Sequence, residues 1–576
     1  MISELYLHSK SQAKPLRIGV MVDSFQLAAP FREVLTDIGK SDFARLELVI
    51  VNQAAKQPSA STSDRLSKWQ RLRNPAHRRS MVFDRFARYD RRREYRPRAT
   101  EAVDCTDILG SCARLDVSPI EEGTAHRFPA DALAALRTND LDVVLRLGFK
   151  PLRGEVLGVA RCGVWTFHFG ATELSSGVPA LFWEVVYDNP CSEVSLRVAT
   201  GSSKEDLVLC KSVFPTLRGY WPARNLFQPC WGSTHQVIRK LNELHQSGWD
   251  SLVEQAAAAE PSHGKAGPQR IPTNWDMARW LLPHVDEEMN LRYNAWRIRR
   301  TDQWRIGIRR AASPSLITDR PEDKSGFQWM PCPAGHYYAD PMLYEHEGQG
   351  WIFFEDYIYE QARGRLCCAP VNQDGTFGST SVCLDLDYHL SYPFVFEHDG
   401  EIFMMPESVG KGRVELWRAT KFPFEWKLEK VLFEGLCVDT TPVFHQDRWY
   451  FFTALLSRRK THAAFGALFH AESLTGEWVL HPVSPISTDV RDARPGGGIV
   501  KVGDRLLRPL QDCSERYGRR LHIEEIVELT PETYRTRRLH SIEPDWEKGL
   551  EGVHTYGYCA GWEVLDAVRR LDGRLV

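Results

Sequence analysis

The sequence predicts a multidomain chain of two fold classes. An α/β domain spans residues 1–225, a helical connector spans 226–300, and an all-β five-bladed propeller spans 301–576. Two observations point to the propeller. The first is a recurring hairpin, seen most clearly where strand-like runs at 394–396 and 401–405 flank the turn pair Asp399-Gly400, a dipeptide that readily takes positive φ. The same design starts at Asp340-Pro341, at Thr441-Pro442 with a turn at Gln446-Asp447, and at Arg494-Pro495 with a turn at Gly503-Asp504. Pro341, Pro393, Pro442 and Pro495 are successively 52, 49 and 53 residues apart, a period that in β-rich sequence marks propeller blades. The second observation is a back half after each hairpin, such as 414–419 with 424–426, or 467–471 with 476–478. Residues 304–308 with 327–329 are a back half without a hairpin, and 553–557 with 561–565 a hairpin without a back half. Joined, they make a fifth blade and close the ring, leaving no open sheet edge. The alternative is an open β-sandwich with accidental periodicity.

The α/β domain rests on a strand at 16–22, helical spacing over 30–40 and a buried strand at 46–51, the strand–helix–strand order of a parallel sheet. Further buried strands are expected at 141–147 and 162–170. Between them, residues 65–98 hold thirteen Lys or Arg against three acidic residues, interleaved with Trp69, Phe83, Phe86, Tyr89 and Tyr95. One reading is a nucleic-acid or phosphate-binding insertion. The favoured one is a solvated helical excursion whose aromatics pack back on the domain. In the connector, 234–253 is amphipathic with Thr234 as a candidate N-cap, 256–267 is a linker, and 274–300 returns to helical spacing.

Composition narrows the function classes. With 43% hydrophobic and 26% charged residues and a net charge of −2, the chain has no global affinity for polyanions, and nucleic acid is not an expected partner. No apolar run is long enough to span a bilayer, and the first 24 residues lack the pattern of a secretory signal. Thirteen cysteines show no paired zinc-ligand spacing, so no metal is expected and reduced thiols in a cytoplasm are the default.

Residues 163–184 bring a resemblance. Gly163-Val-Trp-Thr166-Phe-His168-Phe-Gly170, followed by Gly177-Val-Pro179-Ala-Leu-Phe-Trp-Glu184, resembles the folate-dependent formyltransferases that act on methionyl-tRNA and on sugar amines. The resemblance covers roughly residues 15–225 and implies a Rossmann-like domain using 10-formyltetrahydrofolate. It assigns His168 to catalysis and places Thr166 where the family has an oxyanion-binding Asn. The family's catalytic Asp falls near Lys204, with Glu205 and Asp206 as substitutes; Asp206 is the candidate acid–base partner. An inherited fold used only for binding or support is the alternative.

Propeller chemistry gathers where inner strands converge on the axis. The repeat alignment puts Asp340, Tyr392, Thr441, Arg494 and His554 on the inner strands, with Asp439 two residues before Thr441. Second strands return Glu355-Asp356, Glu407, Thr453 and Gln511-Asp512. Paired carboxylates flanking a bond are what glycoside cleavage or transfer requires. Asp340, Glu407 and Asp439 are therefore the candidate catalytic residues, with His389, Tyr392, Arg494, Arg508, Gln511, Asp512 and His554 as candidate substrate ligands. A structural lattice filling the axis is the alternative. The Asp340-Pro341 pair resembles the arabinanase, fructosidase and levansucrase type of five-bladed glycoside hydrolase, which has a further Asp-Pro where Tyr392-Pro393 stands here. Ser391-Tyr-Pro-Phe-Val395, Met405-Pro-Glu-Ser408, Ala493-Arg-Pro495, Arg508-Pro-Leu-Gln-Asp512, Tyr517-Gly518 and Gly552-Val-His-Thr555 resemble the propeller domain of plant glucosamine inositolphosphorylceramide transferases over roughly 300–570. Together these imply a protein acting on a carbohydrate or sugar-nucleotide substrate, an amino sugar or a glycoconjugate carrying one. A non-catalytic glycan-binding scaffold and a tRNA-directed formyltransferase stand as alternatives.

Overall fold

The computed structural model describes residues 2–56, 75–90, 98–170, 181–202, 205–216, 222–258, 271–282, 302–318, 324–456 and 464–570. The chain divides into two compact units, Ile2–Glu288 and Met289–Val576.

The first unit is built on a seven-stranded sheet. Its strands are β1 (Leu16–Val22), β2 (Ala44–Asn52), β3 (Ala113–Val117), β4 (Val143–Arg146), β5 (Val164–Phe169), β6 (Cys191–Val198) and β7 (Leu207–Pro215). Their order is β7-β6-β5-β4-β1-β2-β3. Pairing is parallel from β3 through to β5 and antiparallel at β6 and β7. The continuous apolar strands belong to the parallel part, as expected of a sheet covered on both faces; all six residues of β5 are buried.

The helix His235–Ala258 belongs to this unit as well. Its stripe Val237, Ile238, Leu241 and Leu244 is buried, and Gln236 donates to the Val194 carbonyl and Ser212 Oγ at 3.2 and 2.9 Å. The sequence places this helix in a connector; its buried stripe packs it into the first unit. Thr234 donates to the Trp231 carbonyl at 3.1 Å instead of capping the helix. Within the arginine-rich run, the helix Pro75–Asp90 buries Phe83 and Phe86 against Phe182, Trp183, Met277 and Trp280. Phe83 and Phe86 thus pack back as the favoured reading expects, whereas Tyr89 is exposed. Trp69, Tyr95, Gly177, Pro179, the 259–267 part of the linker and residues 283–300 lie outside the described residues. No described helix is long and apolar enough to cross a membrane.

The second unit is a five-bladed β-propeller. Blade one comprises His336–His346, Gln349–Ile358, Arg363–Val371 and Ser381–Leu384. Blade two comprises Ser391–His398, Glu401–Glu407, Arg413–Lys421 and Glu425–Glu434. Blade three comprises Cys437–His445, Arg448–Leu456, Ala464–Ala471 and Val479–Leu480. Blade four comprises Arg494–Pro495, Val500–Val502, Arg505–Asp512, Arg520–Leu529 and Tyr534–Ile542. The fifth sheet pairs Asp302–Arg310 antiparallel with Trp562–Arg570, setting Trp304 opposite Val568 and Ile308 opposite Val564. This is the closure expected of the split blade, and it gives both orphan halves a hydrogen-bonded partner.

Local chemistry explains the hairpins. Glu347-Gly348, Asp399-Gly400, Gln446-Asp447 and Ala560-Gly561 all have positive φ at both positions, the two-residue turn whose twist matches antiparallel strands. The inner strands of the first three blades share a second feature. Each breaks register at one site, between Ala339 and Met342, Ser391 and Phe394, and Val438 and Thr441. The first unpaired residue at each is Asp340, Tyr392 or Asp439, with φ of 52, 48 and 52°. Asp439, rather than Thr441, is therefore the third-blade counterpart of Asp340. The proline alignment had slipped there, because Pro442 pairs with Phe451 inside the regular ladder.

Candidate functional site

The bulges turn backbone amides toward the axis, and a carboxylate receives each one. Asp340 N–H donates to Asp566 Oδ2 at 3.0 Å, Tyr392 N–H to Asp340 Oδ2 at 3.3 Å, and Asp439 N–H to Glu407 Oε2 at 3.4 Å. Every one of these bonds joins two blades. The ring continues where Arg494 Nη2 and Nε reach Asp439 Oδ2 at 2.6 and 2.8 Å and Gln511 donates to the same oxygen at 3.0 Å. It closes where Tyr556 N–H donates to the Gly496 carbonyl at 2.8 Å. Buried carboxylates demand this degree of satisfaction, since a bare buried charge costs several kcal/mol.

Two clusters result. In one, His554 lies between two acids, Nε2 at 3.1 Å from Asp340 Oδ1 and Nδ1 at 2.8 Å from Asp566 Oδ1. Burial opposes the imidazolium, yet the Asp566 and Asp340 carboxylates outweigh it and lift the His554 pKa from 6.5 to about 10. Burial would likewise raise Asp340, but the charge of His554 and the bonds from His554 and Thr555 hold it below its ordinary value. Asp340, His554 and Asp566 also offer three ligand atoms within 4.8 Å of one another, a set with the donor types for a cation. The two flanking carboxylates favour the imidazolium, and a metal ion would have to displace its proton.

In the other cluster, Glu407 and Asp439 are partners. Arg494 Nη2 stands 3.9 Å from Glu407 Oε2 and 2.6 Å from Asp439 Oδ2. Burial, reinforced by the Asp439 carboxylate, pushes Glu407 well above the usual carboxylate range despite Arg494. Glu407 thus holds the proton and Asp439 the salt bridge. Arg494, expected from the sequence as a substrate ligand, sits on the Glu407–Asp439 pair.

The remaining candidates separate. Tyr392 is fully buried; its hydroxyl meets Thr441 Oγ1 at 2.7 Å and accepts from the Gly497 amide at 3.0 Å. It is a strut across the axis rather than a ligand-facing group. Arg508 donates to the Tyr534 hydroxyl at 2.9 Å and lies over the Phe452 ring, between the third and fourth blades and away from the axial ring. Asp512 is held by Arg520 at 3.0 Å, His522 at 3.3 Å and the Ser514 amide at 2.9 Å, all within its own blade. His389 sits at a more open position, with Nε2 3.6 Å from Glu355 Oε1. Asp566 and Thr555 were missed by the sequence reading. Asp566 had a signal: it follows Trp562 by four residues, as Glu355 follows Trp351 and Thr453 follows Trp449.

In the first unit, Thr166 and His168 are alternate residues of β5 and share one face of the sheet. Arg146 Nη2 donates to Thr166 Oγ1 at 2.8 Å, and His168 Nε2 lies 3.4 Å from Asp206 Oδ2. Asp206 also accepts from the Thr200 amide at 2.8 Å. Burial would raise its carboxyl, but the bonds from His168 and Thr200 prevail and hold it below its ordinary value. Of the three residues near the expected acid–base position, Asp206 is thus the one against His168; Lys204 lies outside the described residues.

The fold and site define a five-bladed propeller with an acidic, cross-braced axis. Residues 328–554 match the family described as glucosamine inositolphosphorylceramide transferase 1, N-terminal. Glucosamine inositolphosphorylceramide transferase 1 of Oryza sativa subsp. japonica is 37% identical over 204 residues, 35% of this chain and 27% of the relative. The Arabidopsis thaliana protein of that name is 35% identical over 210 residues, again 35% of this chain and 27% of the relative. The chain thus spans about a quarter of the length of the curated relatives it matches. Among solved structures, the family 117 glycoside hydrolase Zg3597 of Zobellia galactanivorans covers 42% of this chain and 76% of its own at 10% identity and a TM-score of 0.30. At that score the likeness decides nothing about activity.

Proposed function

We propose that the propeller binds and processes a glycan, an amino sugar or a glycoconjugate carrying one. The observation that carries this reading is the axial meeting of an ionised acid, Asp340, with protonated Glu407, the Arg494–Asp439 pair and His554. An ionised carboxylate and a protonated carboxyl at one axis are the two reagents of glycosidic bond cleavage or transfer. Gln511 and Arg494 add donors for sugar hydroxyls. The name of the matched relatives supports the substrate class. The test is a glycan array probed with the full chain, including glucosamine-terminated glycolipids, followed by product analysis of each bound glycan. Binding and turnover of amino-sugar glycans are expected, with turnover lost in Asp340→Asn. Binding without turnover would establish the scaffold reading, and no binding to any glycan would sink the proposal.

A separate observation, the His168–Asp206 contact, favours formyl transfer to a sugar amine in the first unit. The formyl donor in this reading is 10-formyltetrahydrofolate, which would supply the one-carbon group. His168, oriented by Asp206, takes the proton of the attacking amine. Thr166, with Arg146 against its oxygen, offers a hydroxyl hydrogen to the oxyanion. Full-length protein given 10-formyltetrahydrofolate and a panel of amino sugars is expected to release tetrahydrofolate, and His168→Ala to stop it. No release with any amine would leave the unit a scaffold.

A further inference from the structure

Among the axial acids Glu355 stands apart. Asp340, Glu407, Asp439 and Asp566 each accept from, or pair with, a neighbour on another blade. Glu355 is only 4% exposed, and its Oε1 is buried with no hydrogen-bond partner among the described residues. Such a group is costly to keep without a use. Its surroundings are built to hold it there. It lies opposite Ala339, beside Asp340, on the second strand of blade one. Gly364 on the third strand leaves the space: a Cβ there would stand 2.4 Å from Glu355 Oε1 and 2.9 Å from His389 Cε1.

His389 completes the arrangement. Its Nδ1 accepts the Gly364 amide at 2.9 Å, so the neutral ring carries its proton on Nε2, which faces Glu355 Oε1 at 3.6 Å. The His389 side chain is 36% exposed, so it links the buried carboxyl to solvent. Burial, with Asp340 and Glu407 nearby, keeps Glu355 protonated well above the usual carboxylate range. Tyr337 and Tyr357, stacked at 4.6 Å, and Tyr359 at 5.7 and 5.8 Å from them form a half-buried aromatic cluster beside His389. Aromatic faces of this kind suit the apolar face of a sugar ring.

We infer that Glu355, rather than Glu407, is the carboxyl that delivers a proton to the leaving group, and that His389 returns a proton to it from solvent. This rests on the glycoside-processing reading above. Glu407 is poorly placed for that task because its Oε2 accepts the Asp439 amide at 3.4 Å and faces Arg494 at 3.9 Å. In the step, the Glu355 proton passes to the glycosidic oxygen as the bond from that oxygen to the anomeric carbon breaks, its electron pair staying on oxygen. Water adds to the anomeric carbon and gives a proton to the Asp340 carboxylate. The His389 ring takes up a solvent proton at Nδ1, letting go of the Gly364 amide, and passes its Nε2 proton to the Glu355 carboxylate; Asp340 returns its proton to solvent, and the ring regains its starting tautomer by exchange with solvent. The net change is hydrolysis.

The experiment uses the full chain with 4-methylumbelliferyl and 2,4-dinitrophenyl glycosides of glucosamine and N-acetylglucosamine. Glu355→Gln should lower kcat on the methylumbelliferyl glycosides by about 100- to 10,000-fold. It should change the dinitrophenyl glycosides by less than about 10-fold, since that leaving group departs without a proton. His389→Ala should lower kcat on the same poor leaving group with KM unchanged, and added imidazole should restore it. If Glu355→Gln slows both glycosides alike, or Glu407→Gln alone shows the leaving-group dependence, Glu355 is not the acid although the propeller still processes glycans. If the unmodified chain turns over none of the glycosides, the processing reading fails and the acid assignment fails with it. Circular dichroism and thermal melting of each variant separate loss of fold from loss of chemistry.

Discussion

Glu407 and Asp439 share one cation, Arg494, and their unlike burdens make unlike mutational outcomes. Glu407 holds its proton in the folded state, so Glu407→Gln replaces one neutral group by another of the same shape and should cost at most about 1 kcal/mol of stability. Asp439→Asn removes the negative charge that Arg494 Nε and Nη2 and Gln511 converge on. It strands a buried guanidinium and should cost about 3–5 kcal/mol. Urea unfolding of the two variants checks this; equal losses would mean that both carboxyls are ionised. Tyr392→Phe is a milder case. It deletes the hydroxyl joining Thr441 to the Gly497 amide and leaves both polar groups buried, so a loss of about 1–3 kcal/mol is expected in the same assay.

At the scale of elements, the seam between the fourth and fifth blades depends on backbone approach. Gly497 has φ of 126° and bridges Tyr556, and a Cβ there would lie 1.9 Å from the Tyr556 carbonyl oxygen. Gly497→Ala therefore combines a forbidden backbone conformation with a clash and should destabilise by more than about 3 kcal/mol. Gly400, at φ of 75° in a hairpin turn, would place its Cβ in open space. Gly400→Ala meets only the backbone penalty, about 1 kcal/mol. Comparable losses in thermal melts of the two variants would contradict the seam's role. Turns of this second kind are legible in sequence because two residues decide them. The bulges are not: whether Asp439 or Thr441 matches Asp340 depends on where the ladder resumes, and that is fixed by pairing with Phe452.

For the whole molecule, His554 ties the closing blade to the first, and its protonation carries a pH signature. Its folded pKa of about 10 exceeds the reference 6.5. Between those values the folded state binds more protons than the unfolded chain, so stability falls as pH rises. The contribution is complete below about pH 6.5, declines through the window and is gone above about pH 10. Thermal melts in the full chain should show the propeller transition dropping between pH 7 and 10, and His554→Gln, itself destabilised by about 3–5 kcal/mol at neutral pH, should flatten that slope. A wild-type melt that does not move across this range would mean the imidazole is neutral in the fold.

The sequence by itself determined the blade count, the turn pairs, the ring closure and the presence of acids near the axis. These rest on short-range chemistry: turn dipeptides, strand alternation and a repeat whose period survives drift in individual residues. The tertiary structure decided which of those acids meet. Residues that look equivalent along the chain part company once the strands pair. Arg508 turns between blades, Asp512 is absorbed by Arg520 and His522, and Tyr392 becomes a strut. Asp566, from the last strand of the ring, reaches Asp340 in the first blade, 226 residues away. The physical reason is that a side chain's face is set by its strand register and a bulge shifts that register locally. The partner across the axis is set by closure of the whole ring, which no local stretch of sequence contains.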